Sequence, residues 1–276
     1  MQAPLPFEEN DASQPPLRAV VLGSGSGGNA VVVEWGTHRI LLDAGFSCRE
    51  IERRMKRAGV EPGSITDVFV THEHEDHVRG LARFALRHET RVWATRGTIA
   101  GCAEMSADLL ALVEPIESGR PVETGGFVVE PFLVPHDARE PVGFVVEDGA
   151  GHRLGLVADL GCRSRLAWGR LADLDALLLE TNHDLEMLRS GPYPWSLKQR
   201  VAGRHGHLSN ADASEGLLEL LAERLRWVVL YHLSRTNNTP VLAAATVGET
   251  LDRARAATAV VVSDQFEPTP WLEVTT

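Results

Sequence analysis

The sequence predicts an α/β fold whose two halves read as expected of a four-layer αββα sandwich. Three observations point there. Both halves of the chain read as apolar strands followed by helices. The 276 residues are 43 % hydrophobic and 24 % charged, an ordinary globular balance with room for one large αβ domain or two small ones. The densest chemical motif, Thr71 to His77, lies where a strand turns into a helix, so its side chains can converge outside a sheet.

Residues 1–16 hold no basic region followed by an apolar one, so a disordered tail is expected there and not a signal peptide. Residues 17–276 are expected to form a single domain. Leu17 to Leu22 reads as a strand, Gly23 to Asn29 as a flexible loop, and Ala30 to Trp35 and His38 to Leu42 as strands around a Gly36-Thr37 turn. The loop matches GxGxxG at Gly23, Gly25 and Gly28, and Asp43 lies 20 residues beyond Gly23. Val31-Val32-Val33 then continues as a strand, so no helix N-terminus is present to grip a phosphate. The glycines instead suit a tight turn or a close backbone approach. Asp43 is either an acid that orients a ligand histidine or a plain turn aspartate. Arg49 to Ala58 reads as a helix whose five basic residues are a substrate-facing patch or a solvated face.

Val68-Phe69-Val70 reads as a buried strand. Val78, Leu81, Ala82 and Ala85 are spaced as on one helix face. Between them stand His72, His74, Asp76 and His77. His72 and His74 are two apart and face the same way on an extended segment, while Asp76 and His77 turn with the helix; this suits two adjacent cations better than one. Imidazole and carboxylate together form a ligand set for Zn²⁺, Mn²⁺ or Fe²⁺.

Further strands are expected at Arg91 to Ala94, from Leu112-Val113, at Phe127 to Val134, and in a hairpin of Val142 to Glu147 with Arg153 to Ala158. Residues 97–110 read as mostly helical. His136 and Asp159 each follow the end of an apolar strand, where a site at one sheet edge would collect ligands. Asp175 to Leu179 reads as a strand leading to Glu180-Thr181-Asn182-His183-Asp184. From Met187 to Ala211 there is no acid, but Arg189, Lys198, Arg200 and Arg204 are interleaved with Tyr193 and Trp195. This stretch is a polyanion-binding surface or a Pro/Gly-rich loop with solvated charges. Ser209 with Asp212 resembles a capping box opening a helix that carries Leu217 to Leu225. Trp227 to Tyr231 reads as a strand ending at His232, Thr239-Pro240 opens the last helix, and Ala259 to Val262 is the last strand.

The net charge of −11 argues against bulk, non-specific nucleic-acid binding, so such a substrate needs a local basic patch. No apolar run approaches a membrane span, and no membrane partner is expected. The three cysteines, Cys48, Cys102 and Cys162, have no CxxC spacing; a disulfide framework is not expected and a cytoplasmic setting fits.

His72-x-His74-x-Asp76-His77 resembles the signature of the metallo-β-lactamase superfamily. Four further segments resemble its YycJ/WalJ/VicX-like branch: Gly23 to Asn29, Glu180 to Asp184, Gly206 to Asn210, and His232 to Asn238. The resemblance spans 17–264; Thr181 stands where a small residue such as Ala is expected. It implies a metallo-β-lactamase-like αββα sandwich and a 5′ to 3′ DNA exonuclease, acting on ends of single or double strands. It also implies two divalent ions, Mn²⁺ or Zn²⁺. His72, His74 and His136 would hold one, Asp76, His77 and His232 the other, and Asp159 would bridge them. Two such cations lower the pKa of a shared water and give hydroxide near neutral pH. Asp76 is expected to be needed for catalysis; His207 and His183 are candidate acids for the leaving group or loop-bracing hydrogen bonders, and Glu180 could tune one of them. Lys198, Arg200 and Arg204, with Asn29, Ser234 and Asn237, are expected to contact substrate. A glyoxalase II-type thioesterase and a non-catalytic metal-binding protein are the competing readings.

Overall fold

A computed structural model describes residues 15–102 and 105–274. The expected tail therefore lies almost wholly outside the described residues, and so does a short piece of the helix expected over 97–110.

Two seven-stranded sheets form the middle of the molecule. The first contains β1 (Leu17–Gly23), β2 (Ala30–Trp35), β3 (His38–Leu42), β4 (Ile65–Phe69), β5 (Arg91–Thr95), β6 (Val113–Ile116) and β14 (Leu272–Val274). Its order is β14-β1-β2-β3-β4-β5-β6. The second contains β7 (Val122–Thr124), β8 (Phe127–Leu133), β9 (Val142–Glu147), β10 (Arg153–Val157), β11 (Ala176–Glu180), β12 (Trp227–Tyr231) and β13 (Ala259–Val262). Its order is β13-β12-β11-β10-β9-β8-β7. The strands β3 to β6 run parallel, as do β10 to β13.

The period of two in each strand explains the layers. On β1, Leu17, Ala19 and Val21 face the second sheet, while Val20 and Leu22 face the helices outside the first. On β12, Val229 and Tyr231 face the first sheet, and Val228 and Leu230 face outward. Strands covered on both sides bury every side chain, which is why they read as continuous apolar runs. The outer layers are helical. Ile51 and Met55 of α1 (Cys48–Arg57) cover the first sheet with Leu81, Phe84 and Ala85 of α3 (Leu81–His88). The second sheet is covered by α6 (Arg165–Arg170), α9 (Asn210–Leu220) and α10 (Pro240–Ala254).

Several expected elements are modified. The helix after the His/Asp cluster is two pieces, α2 (Glu75–Val78) and α3, divided at Gly80. Gly80 donates its N–H to Ala44 O at 2.8 Å, and a Cβ there would lie 2.2 Å from Phe46 O. Residues 97–110 hold α4 (Arg96–Gly101) and α5 (Ala107–Leu110). The acid-free stretch is no plain loop: α7 (Leu185–Ser190) runs into it and α8 (Trp195–Val201) lies within it. Leu225 is buried beyond the end of α9. Of the five basic residues of α1, Arg54 alone is buried, and the other four are exposed. Arg54 is buried and donates to Leu22 O and Gln265 O, Arg53 pairs with Glu50, and Arg57 with Glu267. No described helix is long and apolar enough to cross a membrane.

Candidate metal centre

Six strands deliver side chains to one edge of the sandwich. Asp43 follows β3, His72 follows β4, His136 follows β8, Asp159 follows β10, Glu180 ends β11 and His232 follows β12. Three of these adopt left-handed backbone: Asp43 at φ 61°, Asp159 at φ 53° and His232 at φ 57°. Asp and His tolerate that region better than most residues, and all three stand at or just beyond the end of a strand, where the ligand candidates gather. The short helix α2 supplies Asp76 and His77, with His74 at its N-cap.

Ring nitrogens and carboxylate oxygens from these elements converge in two adjoining groups. His74 Nδ1 is 3.0 Å from His72 Nε2 and 3.3 Å from His136 Nε2. On the other side, Asp76 Oδ2 is 3.3 Å from His232 Nε2 and 3.8 Å from His77 Nε2. Asp159 sits between the two groups. Its Oδ2 lies 2.8 Å from His77 Nε2 and 4.0 Å from His72 Nε2; its Oδ1 lies 3.8 Å from His136 Nε2 and 3.6 Å from His232 Nδ1. That buried Oδ2 has no aligned hydrogen bond among the described residues. Three imidazole nitrogens within hydrogen-bond reach of one another, beside a buried carboxylate oxygen that lacks an aligned hydrogen bond among the described residues, fit a cation pair.

The far side of most rings is anchored. Asp43 Oδ2 is 2.7 Å from His77 Nδ1, and its Oδ1 accepts from Thr71 N at 2.8 Å. Thr71 Oγ1 is 3.0 Å from His72 Nδ1 and 3.1 Å from His77 Nδ1. His136 Nδ1 is 3.0 Å from Gly206 O. Glu180 Oε1 is 2.7 Å from His207 Nδ1 and 3.3 Å from His232 Nδ1. Such partners fix which nitrogen faces a metal.

Charge is distributed to match. Burial, then His77, pushes His72 well below the usual imidazole range. Burial acts the same way on His77, but Asp43, Asp159 and Asp76 outweigh it and hold that ring well above the range. Burial likewise opposes His232, which Asp159, Asp76 and Glu180 raise to about 10. Burial would raise Asp159, yet His232 and His77 hold it well below the usual carboxylate range. This centre is a sink for positive charge, met by protons when cations are absent.

A cavity of about 320 Å³ opens onto the cluster, and His207 and Arg200 help line it. Arg200 donates from Nε to Asp137 Oδ2 at 2.5 Å, and Asp137 Oδ1 is 3.3 Å from His136 Nε2. Thr71 and Asp137 carry no role in the sequence reading, although both adjoin expected ligands. Adjacency to a ligand at a strand end was the available signal.

Other expected contacts lie elsewhere. His183 is buried away from the cavity, its backbone bridged to Ser209, with no hydrogen-bond partner for either ring nitrogen among the described residues. Asn29 is fully buried: its Oδ1 accepts from Gly25 N at 2.9 Å and its Nδ2 is 3.1 Å from His77 Nε2. It braces the glycine loop against the cluster and offers no face to a substrate. Ser24 of that loop accepts from His232 N at 2.8 Å. Ser234 is buried and its Oγ accepts from Asn237 N at 3.1 Å; Asn237 is buried too. Neither lines the cavity. Lys198 and the exposed Arg204 also stand outside its lining.

Residues 38–233 match the family described as "Beta-lactamase superfamily domain". The exodeoxyribonuclease YycJ of Bacillus anthracis is 34% identical over 237 residues, covering 86% of this chain and 89% of that protein. A ribonuclease Z of Aeropyrum pernix is 30% identical over 212 residues, 70% of this chain and 63% of that protein. Among solved structures, the metallo-β-lactamase fold protein YhfI of Bacillus subtilis superposes with a TM-score of 0.71 at 14% identity, over 92% of this chain and 99% of that one.

Proposed function

The chain belongs to the metallo-β-lactamase superfamily, in its YycJ-like branch, as a metal-dependent hydrolase of nuclease type, and on that premise we propose that it is a 5′ to 3′ DNA exonuclease. One observation carries the reading: a cation (Arg200) and a carboxylate-backed imidazole (His207) face the same cavity as the two ligand groups. A phosphodiester carries an anionic oxygen at the reacting centre for Arg200 and a poor leaving group for His207, whereas the thioester bond itself is uncharged and its thiolate leaves without an acid.

His72, His74 and His136 would hold one divalent ion, Asp76, His77 and His232 a second, and Asp159 would reach both. Bound there, Mn²⁺ or Zn²⁺ supplies an activated water and neutralises charge on the phosphate. The remaining work falls to protein groups. Asp43 and Thr71 hold the rings of His77 and His72 in place. Arg200, steadied by Asp137, meets a non-bridging phosphate oxygen. Although burial opposes it, Glu180 and Asp159 raise His207 above the ordinary imidazole range. With Nδ1 occupied by Glu180, His207 Nε2 carries the proton for the departing 3′-oxygen.

The test is cleavage of 5′- and 3′-labelled DNA and RNA, single- and double-stranded, by metal-stripped protein given Mn²⁺ or Zn²⁺. Short products released from DNA 5′ ends, and lost in Asp76→Ala, are expected. Preferential cutting of RNA would overturn the DNA assignment. Failure on every nucleic acid with both metals bound would overturn the nuclease and turn attention to thioesters and small phosphodiesters.

A further inference from the structure

Beside the cavity, α7 and α8 present an apolar surface that the chemistry above does not use. Trp195 is 70% exposed and Leu185 54%. With Leu188 and Ala202 they line a groove of about 200 Å³, and Arg189 and Lys198 also line it. Trp195 and Lys198 of α8 and Ala202 at its C-cap fall at i, i+3 and i+7, along one face. Arg200 is displaced from that face and lines the metal cavity. Groove and cavity therefore flank one helix, a body ~10 Å thick.

The charge of this region points to an anion. Residues 187–211 carry four Lys/Arg and no acid in a chain of net −11. Arg189 is paired with Glu186, and Arg200 with Asp137. Lys198 donates to the carbonyl of Arg189 at 2.7 Å and has no carboxylate partner among the described residues. An indole face open to solvent and rimmed by cations suits a flat, electron-rich ring attached to phosphate.

We propose that the groove is a base-stacking subsite: a nucleobase of the substrate strand, a few nucleotides from the scissile bond, stacks on Trp195 while Lys198 meets a phosphate between that base and the scissile phosphate at Arg200. This rests on the nuclease reading, and it adds how the strand is held. No bond is made or broken at the subsite, so it acts on binding.

The test compares KM and kcat for a 5′-labelled single-stranded oligonucleotide with hydrolysis of bis(p-nitrophenyl) phosphate, which is too short to reach the groove. Metal-loaded wild type, Trp195→Ala and Trp195→Phe are used. Trp195→Ala should raise the oligonucleotide KM by ~10-fold or more, with the loss confined to that substrate and largely restored in Trp195→Phe. One abasic position at the matching register should cost wild type a similar factor and cost Trp195→Ala little more. An equal loss on both substrates would make Trp195 a structural brace and overturn the subsite. An unchanged oligonucleotide KM would overturn the subsite and leave the nuclease standing. Wild type that cuts the small diester but neither binds nor cuts any oligonucleotide would overturn both. A dimer that becomes a monomer in Trp195→Ala at unchanged KM would give the groove to a second copy of the chain.

Discussion

Asp43 touches two side chains of the motif, and its position explains why a turn aspartate is buried completely. It is 0% exposed, holds Thr71 by N–H and hydroxyl, and sits 2.7 Å from His77 Nδ1. Loss of such a partner typically weakens metal binding 10–100-fold. Asp43→Ala should therefore lower affinity at the second group by about that factor, read by competition with a chromogenic chelator; unchanged affinity would reduce Asp43 to a turn residue. His207 invites a different measurement. A general acid matters in proportion to how poor the leaving group is, and its contribution is typically ~10²–10⁴-fold. His207→Ala should lose about that much kcat on DNA, whose leaving group is an alkoxide. It should lose far less on bis(p-nitrophenyl) phosphate, whose leaving group departs without a proton. Equal losses on both would place His207 in binding or folding.

The elements show what a sequence exposes and what it hides. Strands such as β2 and β11 were legible because burial on both faces writes an apolar run, as in Val31-Val32-Val33 and Leu177-Leu178-Leu179. The strands β7 and β14 hold three residues each at sheet edges, too few to show a period. The short α6, α7 and α8 escaped for the same reason. The residues that converge at the centre were legible as a cluster and as strand ends. The burial of Asn29 and His183 was not, because it depends on which elements cross above them. Gly45 is a case where tertiary contact dictates the residue: a Cβ there would lie 1.7 Å from Asp76 O and 2.6 Å from Asn29 N. The loop, the β3 turn and α2 interlock at that point, through Asn29 N to Asp76 O at 2.8 Å and Gly45 N to Asn29 O at 2.9 Å. Overpacking of this kind costs about 1–3 kcal/mol or more. Gly45→Ala should lower the urea midpoint accordingly and also weaken metal binding through Asp76, whereas an ordinary surface turn would show neither effect.

At the scale of the whole molecule, the centre couples stability to pH and to metal. Without cations, the buried carboxylates depend on protonated rings, and the sign follows from the shifts. His232 is held at about 10 against an ordinary 6.5; burial opposes this and Asp159 chiefly causes it. A ring raised in the folded state contributes stability fully present below pH 6.5 and lost as pH climbs through about 10. His77 and His207, also raised, act in the same direction. On the acid side Glu180, despite burial, is held at about 2 by His207 and His232, against an ordinary 4.5. Its contribution is present above pH 4.5 and lost as pH falls through about 2. Burial lowers His183 to about 4, so its contribution is full above pH 6.5 and declines between there and 4. The metal-loaded protein behaves differently, because cations replace the protons on the rings and bind more tightly as protons leave. Metal removal should therefore lower Tm at every pH near neutrality, and the gap between loaded and stripped protein should widen steadily from pH 6.5 to 9. Paired thermal melts in matched buffers would read it. The widening should shrink in His232→Ala, which removes a ring that the stripped protein must keep protonated. A gap that stays constant with pH in the wild type would mean that the buried carboxylates are neutralised by something other than these histidines.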